Sequence, residues 1–405
     1  MMLKQVFLAA LSLASGMAMA TSAQAGEPIA WVSAGLPEAA AINDAFSRIM
    51  NADPDIGRAV DDMERSTRAA GMPWEAAQLL ATAYEVVGRY ADARAIRDAH
   101  RKRIPQCVFP GEPWPQGLQK LSKAVSVLLI NEDHLDATTR ANVVEALPLL
   151  RSMGFTELAM EALPDASVEK NVSGGQVPDD ASSGAYLRDP VAAALVRYAV
   201  ELGFHLHAYD SPEDYGVREQ AQARKLTDIA RKSTGRLMVL AGPGHVQLEG
   251  QWMGQFLAQD LGRKLYTIDQ ASGAGADCEG PGDRRLVIRD RDRPGHVLGM
   301  KTDAALISPA VALKPDERAT AESWLRLGSL RKPVLITSAQ VCPDRPMRCL
   351  ISARRKDSAP ASVPEDRYLA RGIWRGYLFV RSGTYEVEGF DDMGRKHFIS
   401  VVVKP

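Results

Sequence analysis

Ionisable side chains directly follow four short apolar runs of this sequence. In chain order they are Glu132 with His134, Glu161, Asp210 and His245. Imidazole and carboxylate groups together suit zinc, manganese or iron(II), and a site with about three protein ligands leaves a position for an activated water. Without a metal, a histidine oriented by a carboxylate is a general base for the attack of water on an ester or amide. Both routes are hydrolytic.

The apolar runs that precede these residues have the composition of β-strands. The candidate strands are 125–130, 157–160, 204–209, 237–241 and 264–268, and the candidate helices between them are 138–153, 190–202, 217–232 and 252–261. Alternation of strands and helices with a repeat of roughly thirty residues predicts crossover connections and a mainly parallel sheet with flanking helices. We therefore predict an α/β domain over residues 120–310.

The strands of a parallel sheet end at a common edge, where ligands bind. We therefore expect His134, His245, Glu132 and Glu161 to meet there as catalytic or metal-binding residues. A histidine at a strand end can instead cap a helix or bind a buried carbonyl. The two glutamates could likewise be structural partners of Arg218, because a buried guanidinium needs carboxylates.

Several motifs of this section resemble the erythromycin-esterase/ChaN/Tiki-like superfamily. Residues 127–134 (VLLINEDH) and 158–161 (LAME) are similar to its opening G-E-x-H strand and the E-containing strand that follows. Residues 238–245 (MVLAGPGH), with Gly250 beyond them, are similar to its second G-x-x-H motif. Residues 218–223 (REQAQA) resemble its R-[DE]-x-x-x-A helix.

A further segment, 184–190 (GAYLRDP), is similar to one in envelope members of the group. The matches together cover about half of the mature chain in the family's order, and motifs in order are more specific than any one of them.

The resemblance implies different chemistry in different branches of the superfamily. Tiki-like members are metal-dependent peptidases that use both G-x-x-H histidines, and esterase-like members open macrolactones with a histidine base. ChaN-like members are linked to haem binding and iron uptake. The implied cofactor is a divalent metal (zinc, manganese or iron), with haem as the alternative, and the cofactor-binding residues are Tyr186, Arg218 and Glu219. Tyr186 could also be a core residue.

Asn131 stands where the family usually has glycine. Asparagine tolerates the left-handed backbone conformation better than most residues, so we expect the turn to survive. Its side chain is expected to narrow the access of a substrate or metal to Glu132.

Three other histidines receive structural interpretations. His205 and His207 alternate with Leu206 and are expected on one solvated or sheet-covered face of a strand. His296 is expected in a loop.

The first 25 residues have the three parts of a secretory signal peptide: a lysine, a short apolar run and Ala23-Gln24-Ala25. We predict cleavage near Ala25, a mature chain that starts at Gly26 and has no membrane span, and a periplasmic or secreted location. The chain has 49 basic and 50 acidic residues, which argues against nucleic acid as a partner and favours a small-molecule or peptide substrate.

A helical section is predicted over residues 26–104, including one tetratricopeptide-like hairpin with its turn at Gly88. An ordinary packed hairpin is favoured over a peptide-binding array, because a solenoid needs about three stacked repeats. Pro- and Gly-rich residues 105–119 separate this section from the α/β domain. The extension 311–405 is predicted to end in a small β meander over 377–380, 384–387 and 397–403. The terminal sections could bind a protein partner.

Cys342 and Cys349 flank Pro343-Asp344-Arg345-Pro346, a turn-forming interval, and we predict a disulfide between them. The pairing of Cys107 and Cys278 stays open.

We thus predict a periplasmic, metal-assisted hydrolase of ester or peptide bonds. The alternatives are a haem- or metal-binding protein of iron uptake without turnover, and a non-catalytic envelope scaffold. The sequence lacks G-x-S-x-G, H-E-x-x-H and G-x-x-x-x-G-K-[ST] motifs, which excludes the usual serine-hydrolase, zincin and P-loop sites.

Overall fold

The structure is a computed structural model of the 405-residue chain. It describes residues 32–51, 53, 55–100, 111–210, 217–276, 284–288, 300–309, 323–344 and 346–405. The predicted signal peptide, Cys107, Cys278 and His296 lie outside the described residues. No helix within the described ranges has the length and apolar character needed to cross a membrane.

Four helices make up the first section. They are α1 (Ala39–Met50), α2 (Ile56–Ala69), α3 (Trp74–Val86) and α4 (Tyr90–His100). The Asp55 side chain caps α2 by accepting a hydrogen bond from the Arg58 N–H at 3.0 Å. Gly88 has a φ of 74°, and this left-handed residue makes the tight turn between α3 and α4. The predicted helical hairpin is therefore present.

The middle of the chain alternates strands and helices. The strands are β1 (Glu112–Pro113), β2 (Val127–Asn131), β3 (Phe155–Met160), β4 (His205–His207), β5 (Arg236–Ala241), β6 (Leu265–Asp269), β7 (Ala274–Ala276), β8 (Arg285–Ile288) and β9 (Ala304–Pro309). The helices are α5 (Thr138–Ser152), α6 (Ala166–Val172), α7 (Pro190–Glu201), α8 (Arg218–Lys232) and α9 (Met253–Leu261). Each predicted strand and helix of this section is confirmed to within about three residues.

These strands form one sheet in the order β1-β8-β9-β6-β2-β5-β3-β4, with β7 beside β9. The pairs of β2 with β5 and β6, of β3 with β4 and β5, and of β6 with β9 are parallel. All residues of β2 are buried, as expected for a central parallel strand covered on both faces. The chain has an α/β fold with a mainly parallel sheet, and β2, β5 and β3 are direct neighbours within it.

The last section contains the short helix α10 and six strands. They are α10 (Ser338–Val341), β10 (Lys332–Thr337), β11 (Arg348–Arg355), β12 (Asp366–Arg371), β13 (Arg375–Val380), β14 (Gly383–Asp391) and β15 (Lys396–Val403). An antiparallel four-stranded sheet has the order β12-β11-β14-β15.

All three predicted C-terminal strands are present, but only two of them pair with each other, as β14 and β15. The first, β13, pairs with β10 in a separate two-stranded sheet. The preceding residues 332–337, which carried no strand prediction, supply its partner.

The disulfide between Cys342 and Cys349 is confirmed, with a Cα to Cα distance of 6.3 Å. Cys349 is buried in β11, and Cys342 directly follows α10, so the bridge lies in the apolar core beside the sheet.

The chain divides into two compact units. One, which we name the α/β unit, consists of residues 102–175 and 195–312. The other, the composite unit, consists of residues 1–101, 176–194 and 313–405. Residues 176–194, which include Tyr186, were expected inside the α/β section, but they group with the terminal sections.

Candidate functional site

Three neighbouring strands deliver His134, Glu161 and His245 to the carboxyl edge of the α/β unit's sheet. His134 follows β2, Glu161 directly follows β3, and His245 lies in the 3₁₀ turn Pro243–Val246 that follows β5. The three residues are almost buried, with exposed fractions of 8%, 8% and 5%. These three residues therefore lie at one edge of the sheet.

Gly242 is the point on which the three side chains converge. A Cβ built on this residue would lie 2.9 Å from His134 Nε2, 3.0 Å from Glu161 Oε2 and 3.4 Å from His245 Cδ2. The backbone of Gly242 has φ −63° and ψ 170°, an extended conformation open to any residue. The glycine is therefore required by the space that the site needs.

Glu161 is held by three donors. Its Oε1 lies 2.9 Å from Arg218 Nη2 and 3.3 Å from His245 Nε2, and its Oε2 accepts the Gly242 N–H. Burial favours the neutral acid, but His245 and then the Arg218 guanidinium outweigh burial and lower the pKa of Glu161 well below its usual range. Glu161 is therefore an anion at neutral pH.

His245 lies between two carboxylates. Its Nε2 faces Glu161, and its Nδ1 is 2.9 Å from Glu219 Oε2, which also accepts the Met253 N–H at 2.7 Å. Burial favours the neutral ring, but the two glutamates outweigh burial and raise the pKa of His245 to about 10. His245 is therefore an imidazolium at neutral pH. The half-buried Trp252 meets its ring edge to face at 5.9 Å.

Glu132 lies behind His134. Its Oε1 is 3.4 Å from His134 Nδ1, and its Oε2 accepts a hydrogen bond from Arg140 Nε. Burial opposes ionisation, but Arg140 and His134 outweigh burial and lower the pKa of Glu132. With Nδ1 facing this fixed anion, His134 directs Nε2 towards Gly242. Glu132 thus orients His134, and its guanidinium partner is Arg140 and not Arg218.

Arg218 and Glu219 begin helix α8 and both contribute to the site. Arg218 binds Asp210 through two 2.9 Å hydrogen bonds and also binds Glu161. Glu161 therefore contacts Arg218 and His245 at the same time.

The expectation that the Asn131 side chain narrows the approach to Glu132 is not supported by its contacts. Its Nδ2 donates to Asp269 at 2.8 Å and to the Pro243 carbonyl, and its Oδ1 accepts the N–H groups of Gln270 and Ala271. Asn131 is also absent from the residues with positive φ, so the turn needs no left-handed residue here. The amide joins the ends of β2 and β6.

The remaining predicted residues lie elsewhere. Tyr186 is in the 3₁₀ turn Tyr186–Arg188 of the composite unit. On β4, His205 is exposed and His207 is half-buried, and both contact Glu157, at 3.3 and 2.7 Å. These two histidines share one face of the strand, as expected.

Arg140 and Trp252 were not predicted as site residues. Arg140 is a basic residue in a helix whose neighbours are all buried, and a buried arginine requires an anion. That burial is a property of the folded chain, so the sequence carried no signal that selected Arg140 as the partner of Glu132. Trp252 carries no signal either, because an aromatic residue at a helix start is usually read as core.

The contacts of Glu161 do not fit a bound divalent metal. In the described part of the chain, no three His, Cys, Asp or Glu side chains are grouped as metal ligands. To bind a metal, Glu161 would have to give up its contacts with Arg218, His245 and the Gly242 N–H. The metal would then lie beside the permanent positive charge of Arg218. We therefore derive no catalytic step through a metal.

No family model and no curated protein matches the chain. Among solved structures, one described under bacterial protein toxins has 12% identity and a TM-score of 0.32, over 66% of this chain and 59% of that one. The C-terminal region of Pasteurella multocida toxin, reported with a thiol-protease-like catalytic triad, has 10% identity and a TM-score of 0.34. It aligns with 98% of this chain and 65% of its own. The chain thus spans less than two thirds of each, and a similarity of this size carries no functional inference.

Proposed function

We propose that the α/β unit hydrolyses an ester or amide bond, with His134 as the general base and His245 as the general acid. The observation that carries this proposal is the convergence of His134 Nε2, Glu161 and His245 around Gly242 at the carboxyl edge of the sheet. The resemblance of the surrounding motifs to the erythromycin-esterase/ChaN/Tiki-like superfamily supports the same reaction class.

In the proposed reaction, His134 Nε2 accepts a proton from the attacking water, and the water oxygen forms the new bond to the carbonyl carbon. Glu132 stabilises the imidazolium that results, because it is a buried anion 3.4 Å from Nδ1. A general base of this kind contributes roughly 10²- to 10⁴-fold to the rate.

His245 supplies the second proton. Glu219 accepts from Nδ1 and so keeps the ring protonated and oriented, with Nε2 on the side of Glu161. When the bond to the leaving group breaks, the departing oxygen or nitrogen takes the proton from Nε2. Glu161, fixed by Arg218, then faces a neutral His245. The half-buried Trp252 borders this position and offers an apolar surface to the substrate.

The test uses the full chain purified from its native compartment and a panel of p-nitrophenyl esters and short peptides. We expect His134→Ala and His245→Ala each to lower kcat/KM about 100-fold or more. The double variant should be scarcely worse than either, because residues that act as a unit are non-additive. His205→Ala, an exposed histidine of the same unit, is the matched control.

Elemental analysis and an absorption spectrum of the same preparation separate the alternatives. A stoichiometric metal that is lost in His134→Ala would replace the proposed mechanism with a metal-assisted one, and a haem band would favour the iron-uptake alternative. If both alanine variants turn substrates over as the parent does, the hydrolase proposal is wrong and the scaffold alternative gains support.

A further inference from the structure

The composite unit contains a cleft on one face of its four-stranded sheet. Its volume is about 270 Å³, close to the lower end of the range for small-molecule sites, roughly 300 Å³. Strands β11, β12, β14 and β15 supply residues to it, as do the start of helix α2 and the segment 179–188. The proposed hydrolytic residues belong to the α/β unit, so this cleft is a separate feature.

Three guanidinium groups surround one carboxylate in the cleft. Arg188 and Arg367 each place two nitrogens within 3.0–3.2 Å of Asp179, and Arg354 Nη2 lies 3.2 Å from it. Arg188 and Arg367 are 1% and 2% exposed. Burying arginines is costly unless anions compensate them, so three cations on one anion mark a local surplus of positive charge.

A count of the lining charges gives the size of this surplus. Asp53 is paired with Arg48, and Glu388 is paired with Lys396, each through an ion pair of 2.7–2.8 Å. The lining itself has four acidic and four basic side chains. Arg48 lies outside the lining, and its second partner Asp62 is also paired with Arg65. With Asp53 paired in this way, three arginines remain against Asp179 and Asp180, which leaves one positive charge. Burial and the neighbouring Arg367 lower the pKa of Arg188, although Asp179 and Asp180 act in the opposite direction.

One of the lining arginines has an unpartnered nitrogen, and the cleft has an apolar side. Among the described residues, the buried Arg367 Nε has no hydrogen-bond partner. Ile56, Leu350 and Phe390 line the same cleft, and Leu350 and Phe390 are directly paired on adjacent strands. A ligand that fits both features has one negative charge beside a short apolar group.

We infer that this cleft binds a small organic monocarboxylate, with the carboxylate at the arginines and the apolar part against Phe390 and Leu350. A carboxylate suits a guanidinium through paired N–H···O bonds, and its single charge cancels the surplus of one. A phosphate dianion would exceed that surplus by one negative charge.

Isothermal titration of the full chain with hexanoate tests this inference, with hexan-1-ol, acetate and inorganic phosphate as comparison probes. We expect saturable binding of hexanoate, weaker binding of acetate and none of hexan-1-ol. Tighter binding of phosphate than of hexanoate would overturn the assignment to a monocarboxylate. This series needs no variant, so a failure of a variant to fold leaves the test intact.

Arg354→Gln removes one guanidinium that is about a quarter exposed, and Arg355→Gln is its matched control. Arg355 is the next residue of β11, points to the other face and is paired with Asp357 outside the cleft. We expect hexanoate to bind about tenfold more weakly to Arg354→Gln and unchanged to Arg355→Gln. The absence of saturable binding by the parent, or an equal loss in both variants, would overturn the inference.

Discussion

His245 contacts a carboxylate through each ring nitrogen, and this governs how the stability of the protein responds to pH. Its pKa in the folded chain is about 10, against an ordinary value of 6.5. A raised pKa contributes stability that is fully present below about pH 6.5 and is lost as the pH rises through about 10. Arg218 and His134 also face Glu161, so the ring titrates within a charged cluster.

We expect the free energy of unfolding to fall more between pH 7 and pH 10 for the parent than for His245→Gln, by more than about 1 kcal/mol. The reason is that only the parent loses the charged contacts with Glu161 and Glu219 over this interval. Urea unfolding at the two pH values measures the difference, with His205→Gln as the control. Equal falls in parent and His245→Gln would contradict the assignment of a charged His245.

Gly242 determines whether anything can occupy the space between the two histidines. We expect Gly242→Ala to lower activity at least about tenfold, because the new methyl group would lie 2.9 Å from His134 Nε2 and 3.0 Å from Glu161 Oε2. Stability should fall by only about 1–2 kcal/mol, since the backbone conformation accepts alanine and only the packing is strained. The rate of ester hydrolysis measures the loss of activity, and thermal unfolding measures the loss of stability.

Gly174→Ala is the matched control, because a Cβ at Gly174 meets nothing within 4 Å and its φ is not positive. A Gly242→Ala variant with full activity would show that the reaction takes place elsewhere.

Among the elements, the central strand β2 is held in place by its last residue, Asn131. Asn131 bonds Asp269, the N–H groups of Gln270 and Ala271 and the Pro243 carbonyl, so one amide joins β2 to the segments that follow β6 and β5. Asn131 itself is fully buried. Asn131 thus fixes the edge of the sheet from which Glu132 and His134 extend.

We predict that Asn131→Gly destabilises the chain by about 2–4 kcal/mol, because buried donors and acceptors would lose their partners and glycine adds freedom to the unfolded chain. Chemical denaturation checks this value. Asn171→Gly, in the same unit but on helix α6 and largely exposed, separates the loss of this network from the general cost of glycine. If Asn131→Gly unfolds at the denaturant concentration of the parent, the network does not hold the edge.

In the molecule as a whole, the composite unit is assembled from three separate parts of the chain. Its helix α2 is joined to the four-stranded sheet by ion pairs of Asp61 with Arg348 and Arg371 and of Glu64 with Arg371, at 2.6–2.8 Å. The Leu369 N–H also donates to the Val87 carbonyl at 2.9 Å. The N-terminal helices and the C-terminal strands therefore pack together in one unit.

We predict that a chain ending at residue 312 loses hydrogen-exchange protection in helix α2, because its salt-bridge and apolar partners on β11 and β12 are removed. Exchange should be about 100-fold faster or more there, while helix α5 of the α/β unit serves as the internal control. Mass spectrometry of peptides from the full and shortened chains measures both. Full protection of α2 in the shortened chain would mean that the helices fold independently.

Local pattern determined much of this protein. Apolar runs of strand length alternate with amphipathic stretches, and that periodicity was sufficient to predict the α/β fold and the strand ends that carry His134, Glu161 and His245. The short Pro-rich interval between Cys342 and Cys349 was likewise sufficient for the disulfide, because both ends lie within reach of each other. These features depend on residues that are close in sequence.

Only the tertiary structure decided which partner each group takes. It assigned Arg140 to Glu132 and Arg218 to Glu161, gave β13 the partner β10, and grouped residues 176–194 with the terminal sections. A buried charge needs an opposite charge and a strand edge needs hydrogen-bond partners, but many residues of the chain could supply them. The choice among them depends on the packing of segments far apart in sequence, and periodicity carries no information about that packing.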